Sequence, residues 1–131
     1  MKETDLSSDL RQGAEPLLAI RDLRVAFSGV EVLHGIDLDL PKGETLALIG
    51  ESGSGKSVLA RSILGLAGSK NTTTGSIRFE GRELAGAPEK ELRRIRGADI
   101  SMIVQDAMAA LNPMRTIGDQ LIETIVYRHP D

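Results

Sequence analysis

The chain has 131 residues, a net charge of −3, a pI near 5.4 and no cysteine, with 40% hydrophobic and 27% charged residues. This is ordinary globular composition, long enough for one domain with a real core, and it argues against disorder. The acidic balance, with no Lys/Arg cluster interleaved with aromatics, is against a nucleic-acid surface, and the lack of cysteine removes disulfides, zinc fingers and thiol catalysis together. His34 and His129 cannot make a metal site between them and read as solvated side chains. The first residues lack the apolar core of a signal peptide, and no run approaches the roughly 20 apolar residues of a spanning helix. The chain is therefore expected on the cytoplasmic side, touching a membrane only through a partner protein.

In chain order, residues 1–16 are polar, end at Pro16 and read as a flexible tail. Residues 17–27 and 32–40 are strand-like, the second alternating Ile36-Asp37-Leu38-Asp39-Leu40, and Ser28-Gly29 marks a turn that would pair them antiparallel. Pro41-Lys42-Gly43 turns the chain into residues 44–49, a short apolar run fit for a buried strand. The next stretch, 58–66, is helical in pattern, with Leu59, Ile63 and Leu66 on one face and Gly68 as its stop. A strand bounded by glycines is expected over 74–81, a short charged helix over 88–96, and another strand over 100–104, ending at Gln105-Asp106. Residues 117–127 form a helical pattern with Ile117, Leu121, Ile122 and Ile125 on one face.

Between the run 44–49 and the helix lies Gly50-Glu51-Ser52-Gly53-Ser54-Gly55-Lys56-Ser57, which fits the phosphate-binding pattern G-x-x-x-x-G-K-[ST]. Glycines let successive backbone N–H groups turn toward phosphate oxygens, and the following helix aims its positive N-terminus at the same anion. Lys56 adds a point charge for the β- and γ-phosphates, and the Ser57 hydroxyl is the hard oxygen ligand that Mg²⁺ accepts. Strand, glycine loop and helix are the context this motif requires, so the chain is expected to bind a nucleoside triphosphate with Mg²⁺. At the end of the strand over 100–104 two assignments stay open: Asp106 as the acidic Mg²⁺ partner of a kinase or GTPase, or Gln105 as an amide that touches the metal and orients water.

The stretch Leu92-Arg93-Arg94-Ile95-Arg96-Gly97-Ala98-Asp99-Ile100-Ser101-Met102-Ile103-Val104-Gln105-Asp106, followed by Leu111-Asn112-Pro113 and Thr116-Ile117-Gly118-Asp119-Gln120, resembles the ATP-binding subunits of oligopeptide, dipeptide and nickel ABC importers. The resemblance runs over about residues 17–126 and includes the form of the phosphate loop. It implies an α/β phosphate-loop NTPase: the N-terminal part of an ABC nucleotide-binding domain, with an antiparallel β subdomain and the start of the core sheet and helical subdomain. It further implies that Gln105 is the Q-loop glutamine, catalytic and a metal contact beside Ser57, and that Phe27 stacks on adenine. The nucleotide set then comprises Phe27 and the loop from Gly50 through Val58, with ATP and Mg²⁺ as cofactors. Implied partners are a second ATP-binding subunit and transmembrane permease subunits, at the cytoplasmic face of the cell membrane. Two departures stand out. Ala107 and Ala109 occupy positions where the subfamily carries proline and a hydroxylic residue. The signature Leu-Ser-Gly-Gly-Gln, an apolar strand ending in Asp-Glu, and a switch histidine do not occur in the sequence. Residues 17–131 are accordingly expected to be a partial domain, with a non-catalytic nucleotide-binding fragment as a further alternative to the kinase or GTPase.

Overall fold

A computed structural model describes residues 15–68, 71–106 and 110–128, and the chain divides between Ala87 and Pro88 into two units. Most of the expected tail, and His129, lie outside the described residues, whereas His34 is exposed, 3.6 Å from Glu31. The first unit is built on an antiparallel sheet in the order β2-β1-β3-β4, comprising β1 (Leu18–Phe27), β2 (Val30–Leu40), β3 (Asn71–Phe79) and β4 (Arg82–Glu83). Two tight hairpins connect these strands. Ser28 and Gly29 have φ of 50° and 84°, and Glu80 and Gly81 have 46° and 77°, the positive values that two-residue loops need to match strand twist. The sequence shows the first turn; it does not show β4 or the start of β3 at Asn71.

The core follows from the pattern of β1. Leu18 and Ile20 face inward two residues apart, but the next buried residues are Leu23 and Val25, one position out of phase. A strand alternates faces strictly, so burying all four side chains requires one extra residue between Ile20 and Leu23. That residue is Asp22, in the left-handed region at φ 42°, where both ladders slip register. Its N–H donates to Asp37 Oδ1 at 3.0 Å, and its carboxylate accepts from Arg24 Nε at 3.0 Å. Opposite the bulge on β3 stands Gly75, at φ 95°. A Cβ there would sit 2.4 Å from the Asp22 carbonyl oxygen and 2.7 Å from that of Arg21. The inner face, with Leu33, Leu59, Leu64, Ile77 and Leu84 also buried, is worth about 1.5–3 kcal/mol for each fully buried aliphatic side chain.

At the far edge, Glu83 braces β3 to β4. Its carboxylate accepts from Ser76 Oγ, from the Ile77 N–H at 2.8 Å and from the Ala85 N–H at 3.1 Å. Partial burial opposes ionisation of Glu83, but those bonds and nearby Arg78 outweigh it and hold the carboxyl below its ordinary range.

Helix α1 (Lys56–Ile63) ends earlier than its apolar spacing suggests. The Leu66 N–H donates to Arg61 O at 2.7 Å and the Gly65 N–H to Ser62 O at 3.0 Å, with Gly65 at φ 63°. This pair of bonds is a Schellman stop, so Gly65 rather than Gly68 ends the helix and leaves Leu66 exposed.

The second unit holds α2 (Glu89–Ile95) and α3 (Ile117–Arg128). In α2, Leu92 and Ile95 are buried while Glu89 pairs with Arg96 at 2.8 Å and Arg93 at 3.3 Å. The face of α3 is the expected one, yet Ile117, Leu121, Ile122 and Ile125 are each about 60% exposed.

Two expected strands are corrected. Residues 44–49 and 101–104 are not strands, and Ile100 makes only an isolated bridge with Arg96. Ile49 is 95% and Ile103 98% exposed. A core strand of a parallel sheet is held by neighbours on both edges, and no described strand pairs with either segment. Apolar content marks such a segment but does not by itself make the ladder.

Gly75→Ala is expected to destabilise the protein by about 2–4 kcal/mol, combining left-handed strain with collision against the β1 backbone. Gly86, also at positive φ but with open space around it, is the control and should lose about 1 kcal/mol or less as alanine. Urea midpoints of the two variants provide the comparison. Because the Glu83 pKa is depressed on folding, its contribution is present above the ordinary glutamate range and lost as pH falls through the folded value. Allowing for solvent screening, Glu83→Gln should cost about 1 kcal/mol at pH 7, and the cost should shrink as the pH is lowered through the folded value, read from urea midpoints across an acid series.

Candidate nucleotide site

The loop between residue 49 and α1 is fixed at its C-terminal end. Gly55 is buried, has φ 91° and forms the N-cap of α1, whose first intrahelical bond runs from the Leu59 N–H to Gly55 O at 2.8 Å. A Cβ on Gly55 would lie 2.7 Å from Leu33 Cδ2 and 3.6 Å from Val32 O. Glycine at this position thus satisfies two demands, a left-handed backbone and direct contact with β2. The helix receives no side-chain cap and has no acidic residue in its first turn. Its leading N–H groups and positive end remain directed at the loop.

Lys56 brings the loop together. Its ammonium donates to Gly50 O at 2.8 Å, Glu51 O at 2.7 Å and Ser54 Oγ at 3.1 Å. Gly50 permits this closure: a Cβ there would be 2.7 Å from Ser54 Oγ and 3.8 Å from Lys56 Nζ. The Ser54 N–H donates to Glu51 O at 3.2 Å, and Gly53 turns at φ 82°. Gly53, Ser54, Gly55, Lys56, Ser57 and Val58, with Val32 opposite, line a concavity of about 150 Å³. Ser57, the second residue of α1, is exposed. A lysine cation, glycine-lined backbone, a helix N-terminus and an exposed hydroxyl are a donor set that fits a phosphate chain and its Mg²⁺.

Val32 is the residue that sequence reasoning missed. Between the pairs Val25↔Leu33 and Ala26↔Glu31 the ladder slips, leaving Val32 out of register. A bulge re-aims its side chain, and here Val32 lines the concavity. Leu33, one residue on, is 3% exposed and carries the loop.

Phe27 is half-buried at the end of β1, paired with Val30 and Asn71, and does not line the concavity. Gln105 and Asp106 belong to the second unit, exposed beyond residues 101–104, and Ala107 and Ala109 lie outside the described residues. Among the described residues no group of three or more His, Cys, Asp or Glu could hold a metal ion, and no helix is long and apolar enough to cross a membrane. At this loop an Mg²⁺ ion would find one side-chain ligand, the Ser57 hydroxyl, and would fill the rest of its octahedron with phosphate oxygens, water and groups from outside the loop.

Comparison with known proteins agrees with this geometry. The family description "ABC transporter" matches residues 33–129. The chain is 49% identical to the dipeptide transport ATP-binding protein of Bacillus subtilis over 121 residues, covering 88% of this chain and 36% of that protein. It is 43% identical to the oligopeptide transport ATP-binding protein of Escherichia coli over 120 residues, with the same coverage of 88% and 36%. Its counterpart from Salmonella typhimurium is 40% identical over 130 residues, 96% of this chain and 39% of that protein. The chain thus spans little more than a third of the length of these relatives. With a phosphate-binding loop held between β2 and α1, and the family pattern covering most of its length, the chain belongs to the ABC transporter family, a group of phosphate-loop NTPases.

Proposed function

We propose that this chain is the ATP-binding portion of an ABC importer subunit whose cargo is peptide. The observation that carries the reading is the Lys56 ammonium held inside the Gly50–Ser54 turn at the N-terminus of α1. Backbone N–H groups of the loop and first helical turn, through Val58, hold the phosphates with Lys56, and the Ser57 hydroxyl and Gln105 amide oxygen hold Mg²⁺. Phe27 supplies an aromatic face for adenine. Gln105 also orients water and links the site to the permease. Bound Mg-ATP supplies the transferable phosphoryl group and the metal charge that neutralises it. The chain's own part is positioning: fixed donors that need no reorganisation when charge develops.

Two such subunits, identical or paired with a relative, bind nucleotide between them at the cytoplasmic face of the membrane, anchored through permease subunits. Peptide is preferred over nickel because the relatives above are named for dipeptide and oligopeptide transport. Family membership likewise weighs against a kinase or GTPase that uses Asp106 as metal ligand.

Lys56→Ala should weaken Mg-ATP binding by about 2–5 kcal/mol, because it removes a desolvated phosphate partner. Gly55→Ala should also weaken it, by about 1–3 kcal/mol, through strain and displacement from Leu33. Gly53→Ala, with open space around its Cβ position, should lose less than Gly55→Ala. Calorimetric titration with Mg-ATP measures all three, and unchanged affinity in Lys56→Ala would refute the site. In the complete subunit with its permease, Gln105→Ala should lower hydrolysis and its stimulation while sparing ATP binding, and Asp106→Ala should do less. Loss of Mg-dependent turnover in Asp106→Ala alone would instead favour the kinase or GTPase assignment.

A further inference from the structure

An ammonium has three hydrogens to donate, and at Lys56 all three are directed at loop partners: Gly50 O at 2.8 Å, Glu51 O at 2.7 Å and Ser54 Oγ at 3.1 Å. The first two are backbone carbonyls at short distance, and together they keep the lysine inside the turn. The third bond is the longest and differs in place. Of the three partners only Ser54, with Lys56 itself, lines the concavity beside α1. A phosphate oxygen entering there meets the Ser54–Lys56 hydrogen bond first. Since the ammonium has no fourth hydrogen, the phosphate must take the one given to Ser54 Oγ.

This hydroxyl is held in place by its own turn. The Ser54 N–H donates to Glu51 O at 3.2 Å, and the side chain is seated against Gly50, where a Cβ would be 2.7 Å from Ser54 Oγ and 3.4 Å from Ser54 Cβ. A group fixed beside its partner competes better than a water molecule, which must give up its own freedom to reach the same position. A charged phosphate is nevertheless the stronger acceptor, so the hydrogen bond passes to the nucleotide once it arrives.

We propose that Ser54 is a positioning residue whose hydroxyl occupies the phosphate-facing donor of Lys56 and is displaced when nucleotide binds. The inference rests on the nucleotide reading above and adds a restraint to that site. No covalent bond changes: Lys56 keeps its proton, and one N–H exchanges Ser54 Oγ for a phosphate oxygen as acceptor. Apparent affinity is then reduced by the fraction of molecules in which the Ser54–Lys56 bond is open. Ser54 thereby slows entry and weakens binding, whereas the two carbonyls orient the lysine.

The test uses the intact ATP-binding subunit and its Ser54→Ala, Ser54→Thr and Lys56→Ala variants, with Mg-ATP as the probe. Ser54→Ala removes the third acceptor and leaves both carbonyls in place, so Mg-ATP should associate about threefold or more faster in stopped-flow mixing and bind tighter by a similar factor. Ser54→Thr keeps a hydroxyl and should return both values to near wild type. Without nucleotide, exchange of the Lys56 ammonium hydrogens with water, followed by NMR, should speed up in Ser54→Ala and slow again in Ser54→Thr. Loss of loop support alone would speed that exchange and weaken binding together. Weaker or unchanged Mg-ATP binding in Ser54→Ala, wild-type ammonium exchange in that variant, or Ser54→Thr behaving like Ser54→Ala would overturn the proposal and leave the site standing, provided Lys56→Ala loses affinity. Wild-type affinity in Lys56→Ala would overturn the nucleotide site and this inference with it.

Discussion

The site depends on one contact, the seating of Gly55 against Leu33 and Val32 of β2. A phosphate loop is a length of backbone whose N–H groups must stay directed at one point, and glycines alone give it freedom without direction. Direction comes from the support at its end. Leu33 is held in the sheet core opposite Val25, and Val25 reaches the core only because the Asp22 bulge resets the phase of β1. The bulge in turn needs a residue without Cβ at position 75. A line of steric dependence thus runs from β3 through β1 and β2 to the loop.

Magnitudes rank the contributions at the loop. A helix N-terminus favours an anion by about 0.3–1 kcal/mol when exposed. Hydrogen bonds to a charged group are each worth about 1.5–3 kcal/mol. Lys56 and the aligned amides therefore outweigh the macrodipole, and their geometry matters more than the length of α1. The same comparison explains why the loop tolerates an eight-residue helix: only its first turn faces the concavity.

The sequence made legible those features that local chemistry determines. The glycine-lysine motif, the Ser28-Gly29 and Pro41-Lys42-Gly43 turns, and α2 to within a residue at each end all follow from short-range rules. The spacing of Ile20 and Leu23 contains the phase slip of β1, but a reading by simple alternation passes over it. Gly65 offers the earlier stop for α1, where helical spacing draws the eye on to Leu66. Other features depend on partners outside the segment concerned. Residues 44–49 and 101–104 have the composition of core strands, and no described strand pairs with them. In α3 the periodicity identifies which residues share a face; it does not say that the face is covered. Val32 was illegible because its orientation depends on a ladder irregularity two strands must agree on.

The central claim is that one nucleotide site is organised by the loop and its support on β2. A titration with Mg-ATP followed by backbone amide chemical shifts tests it most directly. The account predicts the largest changes from Gly50 to Val58, with Val32 and Leu33 responding at the same ATP concentrations. Changes confined to other parts of the sheet, or a loop that responds while Val32 and Leu33 do not, would contradict it.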